Sequence, residues 1–307
     1  MKTWVTIVTL LLLPTFSHAA SPPASCTGQL AVQVLGSGGP IADDARASSA
    51  YLVWVDGKAR LLVDFGGGAF LRFGESGADF ADLDAIALTH LHTDHAADLP
   101  ALLKGGYFSS RERPLPIIGP TGKRGWPSIE EFLGDLFDQD RGAFRYLAGF
   151  LDGTDDLFKV TPITIDADGR SPEVALQLDD LRVSAVGVTH GVVPALGLLV
   201  ETHGKRIAFS GDQNDDNPAF GALIDNADLL IMTHAIPQDA GRAARSLHAT
   251  PRHIGELAAA SHVKHLVLSH LMARSLRVLD DSQAIIRESY NGPLDVADDL
   301  SCYSLIE

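Results

Sequence analysis

The chain has 307 residues, 46% of them hydrophobic and 21% charged, so it carries enough apolar material for one large layered domain and is neither disordered nor fibrous. Its net charge of −15 sets a negative field against phosphate backbones and disfavours extended nucleic-acid contact. The basic pairs Arg111/Arg113 and Lys123/Arg124 are weak exceptions.

Residues 1–20 read as a secretory signal peptide. Lys2 supplies a minimal positive start, Trp4 to Leu13 forms an apolar run too short to span a bilayer, and Ser17-His18-Ala19 puts small residues at the cleavage positions. The mature chain, 21–307, is expected to be periplasmic or secreted, without a membrane anchor. Only two cysteines occur, Cys26 and Cys302. They are either two buried thiols or, as an oxidising compartment favours, a bridge tying the first strand to the last. Such a bridge would stabilise by roughly 4–5 kcal/mol in the chain-entropy picture. Pro23-Ala24-Ser25 lacks the branched apolar residue expected before a lipidated cysteine.

Strands are predicted over 30–35, 50–55 and 59–65, short apolar runs separated by Gly-rich or Asp-Gly turns, and again over 85–89. A helical stretch follows over 98–104. Ile129, Phe132, Leu133, Leu136 and Phe137 recur at helical spacing behind the cap candidate Ser128, and a second helix is predicted over 143–151. Further strands are expected over 181–189, 196–201, 205–210, 228–233 and 265–269, with His203-Gly204 as a hairpin turn. Helices are expected over 218–224 and 251–260, the latter with Thr250 as N-cap and Pro251 at its first position. Two batches of strands with helices between them imply a layered α/β fold in one domain, with 111–156 as an elaboration or lid.

Polar residues stand where these apolar runs end: His90, His190, Asp212, His234 and His270. Loops at the carboxyl ends of strands are where α/β folds place ligands. The densest segment is His90-Leu91-His92-Thr93-Asp94-His95. On extended backbone His90 and His92 point the same way, and Asp94 and His95 follow round a turn. Imidazoles and a carboxylate in this pattern suit zinc, with two ligands for each of two ions. His234 is either a partner that orients a ligand or a packed rim residue. His203, His253, His262 and His265 read as surface or turn residues. Gly36-Ser37-Gly38-Gly39 lacks the GxGxxG spacing of a nucleotide loop, and Ser210-Gly211 lacks the GxSxG frame of a serine hydrolase.

The segment from His90 to His95 resembles the HxHxDH motif of the metallo-β-lactamase fold. The likeness extends through Leu35-Gly36-Ser37-Gly38-Gly39, Leu62-Val63-Asp64-Phe65-Gly66, Thr189-His190, Phe209-Ser210-Gly211-Asp212 and Leu268-Ser269-His270. Within that superfamily the loop from His190 to Gly197 and the run Ser246-Leu247-His248-Ala249-Thr250 are most similar to the ribonuclease Z-like branch, which includes phosphodiesterases and some arylsulfatases. The resemblance implies a four-layer αββα sandwich, two central mixed sheets flanked by helices, holding two zinc ions. Manganese or iron would suit the same ligands. His90, His92 and His190 would hold one ion, Asp94, His95 and His270 the other, and Asp212 would bridge them. A bridging aspartate argues against a true β-lactamase.

By the same resemblance Asp64 would orient the ligand loop, and His248 and Asp94 would be catalytic. His248 would protonate the leaving oxygen or hold the transition state by a hydrogen bond. The implied activity is attack by metal-activated water on a small phosphodiester. An arylsulfatase or other ester hydrolase is the alternative among enzymes, and a non-catalytic zinc-binding scaffold the alternative outside them. The expected partner is a small phosphodiester or sulfate ester rather than nucleic acid, and the resemblance suggests a homodimer.

Overall fold

Sequence periodicity accounts directly for the layering. In the strand 50–55, Leu52 and Trp54 join one buried cluster while Tyr51, Val53 and Val55 join another. In the strand 266–269, Leu266 and Leu268 face a third cluster and Val267 the second. A period of two with apolar residues on both faces is what a strand buried on both sides requires. The computed structural model describes residue 26 and residues 28–214 and 217–306. The signal-peptide reading of 1–20 lies outside them.

In chain order the strands are β1 Leu30–Gly36, β2 Ala50–Val55, β3 Lys58–Phe65, β4 Ala85–Ala87, β5 Leu115–Pro120 and β6 Val160–Ile165, followed by β7 Glu173–Gln177, β8 Leu181–His190, β9 Val193–Thr202, β10 Lys205–Phe209, β11 Leu229–Thr233, β12 Leu266–Ser269, β13 Leu294–Val296 and β14 Cys302–Ile306. They form two seven-stranded sheets, ordered β14-β1-β2-β3-β4-β5-β6 and β13-β12-β11-β10-β9-β8-β7. Both sheets are built alike. Strands β14, β1, β2 and β3 run antiparallel, and β3 to β6 run parallel. In the second sheet β7 to β10 run antiparallel, and β10 to β13 run parallel.

Three apolar layers hold the four structural layers together. Val32, Val53, Leu61, Val63, Leu198, Val200, Phe209 and Ile231 fill the space between the sheets. Leu52, Leu62, Phe65, Phe73, Leu102 and Leu133 bind the first sheet to its helices. Leu199, Phe220, Leu230, Ile254 and Ile286 do the same for the second. Each fully buried side chain of this kind stabilises by about 1.5–3 kcal/mol. The expected sandwich of two mixed sheets flanked by helices is the observed fold.

Within 111–156, β5 belongs to the first sheet and the helix Ile129–Phe137 buries Ile129, Leu133 and Phe137. Ser128 caps that helix, its hydroxyl accepting from the Glu131 amide while Glu131 accepts from the Ser128 amide. The helix predicted over 143–151 is instead two short pieces, a 3-10 turn Arg145–Leu147 and a helical turn Gly149–Asp152. Gly142 stands just before this stretch and Gly149 inside it, and both lower its helix propensity. Arg111 is buried, donating to the Leu83 and Pro114 carbonyls, and Arg113 pairs with Asp84, so these two arginines are structural rather than a basic patch.

Cys26 and Cys302 are bridged, with their Cα atoms 5.3 Å apart. The bridge fastens the segment before β1 to β14, which pairs with β1. No helix among the described residues is long and apolar enough to cross a membrane.

Candidate metal centre

The strands deliver their polar ends to one edge of the sandwich. Asp64 is the penultimate residue of β3, His190 ends β8, and His90, Asp212, His234 and His270 lie just beyond β4, β10, β11 and β12. Asp64, Gly211 and His270 take positive φ values of 54°, 56° and 53°, so the chain turns sharply out of each strand there. A Cβ on Gly211 would stand 2.5 Å from the Leu196 carbonyl oxygen, and one on Gly66 would stand 2.1 Å from the Asp94 carbonyl oxygen. Only glycine lets the backbone approach that closely at these two points.

The side chains converge. Ligand atoms of His90, His92 and His190 lie within 4.8 Å of one another, as do those of Asp94, His95 and His270. Asp212 stands between the two groups. Its Oδ2 is 3.9 Å from His90 Nε2, 3.7 Å from His190 Nε2 and 3.4 Å from His270 Nε2, and its Oδ1 is 3.7 Å from His95 Nε2. Asp212 also groups with His190 and His248, whose Nδ1 lies 3.8 Å from Asp212 Oδ2. All of these residues are buried except His92, which is partly exposed and marks the open side.

Outer contacts fix which ring nitrogens face inward. A carboxylate only accepts, so the 2.8 Å contact between Asp64 Oδ2 and His95 puts the proton on His95 Nδ1 and turns Nε2 to the cluster. Asp64 is itself held by the Thr89 amide and hydroxyl, at 2.7 and 3.0 Å to Oδ1. His190 Nδ1 donates to the Leu247 carbonyl at 2.8 Å, again freeing Nε2. His90 Nε2 and His92 Nδ1 approach to 3.0 Å. Histidine ligands of metals are characteristically oriented in this way from behind.

The electrostatics follow from burial and carboxylates. Burial pushes His90, His92 and His190 below the ordinary imidazole value, favouring neutral rings. Burial would do the same to His95, but Asp64 and Asp212 outweigh it and lift the ring to about 10. Burial likewise opposes charge on Asp94, yet His270 and His95 bring it to about 2, and Asp212 is held well below its ordinary value by His270 and His95 against burial. Burial lowers His248 to about 3.

These residues fit a divalent metal. His95 Nε2 and His248 Nδ1 are buried without a hydrogen-bond partner, a costly condition that ligation would relieve. Neutral imidazoles with carboxylates are a donor set for zinc and related ions. Bringing a cation to this site would compete with the second proton of His95, whose pKa burial would lower but Asp64 and Asp212 raise to about 10.

The remaining histidines fall elsewhere. His234 is fully buried, both ring nitrogens lack a hydrogen-bond partner, and burial lowers it to about 4. It joins none of the metal-competent groups among the described residues. His203, His262 and His265 reach the surface carboxylates of Asp56, Asp225 and Asp295. Sequence reasoning did not find the Leu247 carbonyl, which has no side-chain signature. It also missed the part-buried support under Ser37 and Ala47, where Asp299 accepts from both amides and from Arg72.

Comparison with known proteins places the chain in a family. The β-lactamase superfamily domain matches residues 60–271. A ribonuclease Z of Natronomonas pharaonis is 30% identical over 85% of this chain and 92% of its own length. A ribonuclease Z of Mycolicibacterium gilvum is 28% identical over 88% and 94%. Among solved structures, the metallo-β-lactamase fold protein YhfI of Bacillus subtilis superposes with a TM-score of 0.68 at 22% identity, covering 89% of this chain and 99% of that one. The short form of human tRNase Z superposes at 0.67 with 23% identity, covering 90% and 100%. The chain belongs to the β-lactamase superfamily, with ribonuclease Z proteins among its relatives.

Proposed function

We propose that this member of the β-lactamase superfamily is an exported metal-dependent hydrolase that binds two zinc ions and cleaves a small phosphodiester. The observation that carries the reading is the position of Asp212, whose two carboxylate oxygens lie within 3.4–3.9 Å of ring nitrogens from both histidine groups. A lone carboxylate so placed suits a bridge between ions held by His90, His92 and His190 on one side and by Asp94, His95 and His270 on the other. Ions held there would supply Lewis acidity, bringing a water's pKa toward neutrality and offsetting charge on the phosphoryl oxygens.

The chain's own residues do the rest. Asp64 and the Leu247 carbonyl hold His95 and His190 in the tautomers that aim Nε2 inward. His248 stands beside Asp212 at the same edge, in position to hydrogen-bond the leaving oxygen. Asp94, held by His270 at 3.1 Å, can orient the attacking water. Export is supported by the signal-like start and by the disulfide, which persists in oxidising compartments. The net charge of −15 favours a small ester over tRNA, although ribonuclease Z proteins are relatives. Hydrolysis of bis(p-nitrophenyl) phosphate and p-nitrophenyl sulfate by the metal-replete protein tests the proposal. Diesterase activity that is lost in Asp212→Ala supports it, and a preference for the sulfate overturns the phosphodiester assignment.

A further inference from the structure

On the open side of the centre a short hairpin reaches His92. Lys123 and Trp126 pair through reciprocal backbone hydrogen bonds of 3.0 and 2.8 Å, and the two residues between them, Arg124 and Gly125, have φ of 43° and 87°. Positive φ at both central positions defines the tightest hairpin turn, and an arginine there adopts a conformation that side chains rarely take. The turn therefore holds Trp126 in a set place. Its indole meets the His92 imidazole edge-on, with ring centroids 5.3 Å apart and planes at 67°. The His92 ring centroid in turn lies 5.2 Å from that of His190, and His92 is the one partly exposed member of the histidine groups among the described residues.

Trp126 is itself only partly buried, so a large aromatic surface stands in reach of solvent beside the open side of the centre. Trp126 lines a cavity of about 850 Å³ together with Lys123, Arg124, Pro127, Glu131 and Arg141, and Lys123 also borders a smaller one of about 180 Å³ that reaches His190 and Arg170. An aromatic face set against a histidine of the centre, with an open cavity on its other side, is an arrangement that reads a planar group attached to a phosphate.

We infer that Trp126 is a specificity-determining residue that stacks a planar aromatic group, such as a nucleobase or aryl ring, on the part of the diester that stays bound. The inference rests on the proposed phosphodiesterase reading and names the substrate class for it.

Two diesters with the same leaving group separate this role from catalysis: bis(p-nitrophenyl) phosphate and methyl p-nitrophenyl phosphate. They differ only in the group that remains on phosphorus. Trp126→Ala should lower the ratio of their kcat/KM values about ten-fold, within the range that stacking on an aromatic side chain contributes. Trp126→Phe should hold the ratio to within about three-fold of wild type, because a ring is kept. An unchanged ratio in Trp126→Ala would overturn the inference and leave Trp126 as a prop for His92. Failure of the wild-type, metal-replete protein to cleave either diester would instead overturn the phosphodiesterase reading. The inference is then decided by tryptophan fluorescence. Adenosine 5′-monophosphate should quench emission where ribose 5-phosphate does not, and Trp126→Ala should abolish the difference; equal responses to both would overturn it.

Discussion

Asp64 and His95 are joined by a 2.8 Å hydrogen bond between two buried side chains, and that contact decides which nitrogen of His95 faces the metal centre. Asp64 sits at positive φ at the end of β3 and is clamped by Thr89, so the carboxylate cannot swing away. Replacing it with alanine frees the ring and removes a negative charge. Metal affinity of Asp64→Ala should fall about 10–100-fold, the usual effect of losing a carboxylate behind a ligating histidine. Competition with a chromophoric chelator measures it, and unchanged affinity would remove Asp64 from the account.

Metal should also stabilise the fold. Two carboxylates and six imidazoles crowd one edge, and a cation relieves both the repulsion and the unpaired nitrogens. Exhaustive chelation should lower the melting temperature, and restoring zinc should reverse the drop. A melting curve indifferent to chelator would contradict a ligand role for these residues.

Gly66 offers a separate check on geometry. A Cβ there would overlap the Asp94 carbonyl oxygen at 2.1 Å, so Gly66→Ala must displace the loop that carries Asp94 and His95. The expected cost is about 1–3 kcal/mol of stability, with reduced metal occupancy. Denaturant titration and metal analysis of the same sample report both.

The disulfide should matter globally. Cys302→Ser releases the segment before β1 from β14 and should cost about 2–5 kcal/mol, read by denaturant unfolding under non-reducing conditions. Reducing agent should destabilise the wild type by a similar amount and leave the variant unaffected. Equal sensitivity in both would mean the bridge carries no stability.

Acid sensitivity can be assigned in part to Asp228. Its carboxylate accepts from the Arg206 amide at 2.9 Å and from Lys264 at 2.9 Å, and although burial opposes ionisation, these partners hold its pKa below the ordinary value. A group whose folded pKa is depressed stabilises fully above the unfolded value of about 3.9 and loses that contribution as pH falls through the folded one. Wild type should therefore be more stable than Asp228→Asn at pH 6, with the gap closing below about pH 4. A gap that stays constant to pH 2 would show that ionisation is not its source.

Much of this was legible in the sequence because apolar strands end abruptly in polar residues. His90, His190, Asp212 and His270 interrupt runs that otherwise read as core, and the two-residue spacing of His90 and His92 sets both toward one point. The edge strands were less legible. In β6 and β7 several positions are exposed, and Pro162 interrupts the pattern, so periodicity is weak. β13 has three residues and no buried one. Trp126 could be named from sequence only as one aromatic in a lid, because its contact with His92 depends on how β5 and the following hairpin lie across the centre. The support from Asp299 to Ser37 spans 262 positions, and no local pattern announces it.

We have proposed that His90, His92 and His190 would hold one ion and Asp94, His95 and His270 another, with Asp212 between them. Metal content per chain, measured on purified mature protein and on Asp212→Ala, tests it most directly. Two equivalents are expected in the wild type and a clear loss in the variant. Wild-type protein that binds no metal, or a variant that keeps both equivalents, would contradict it.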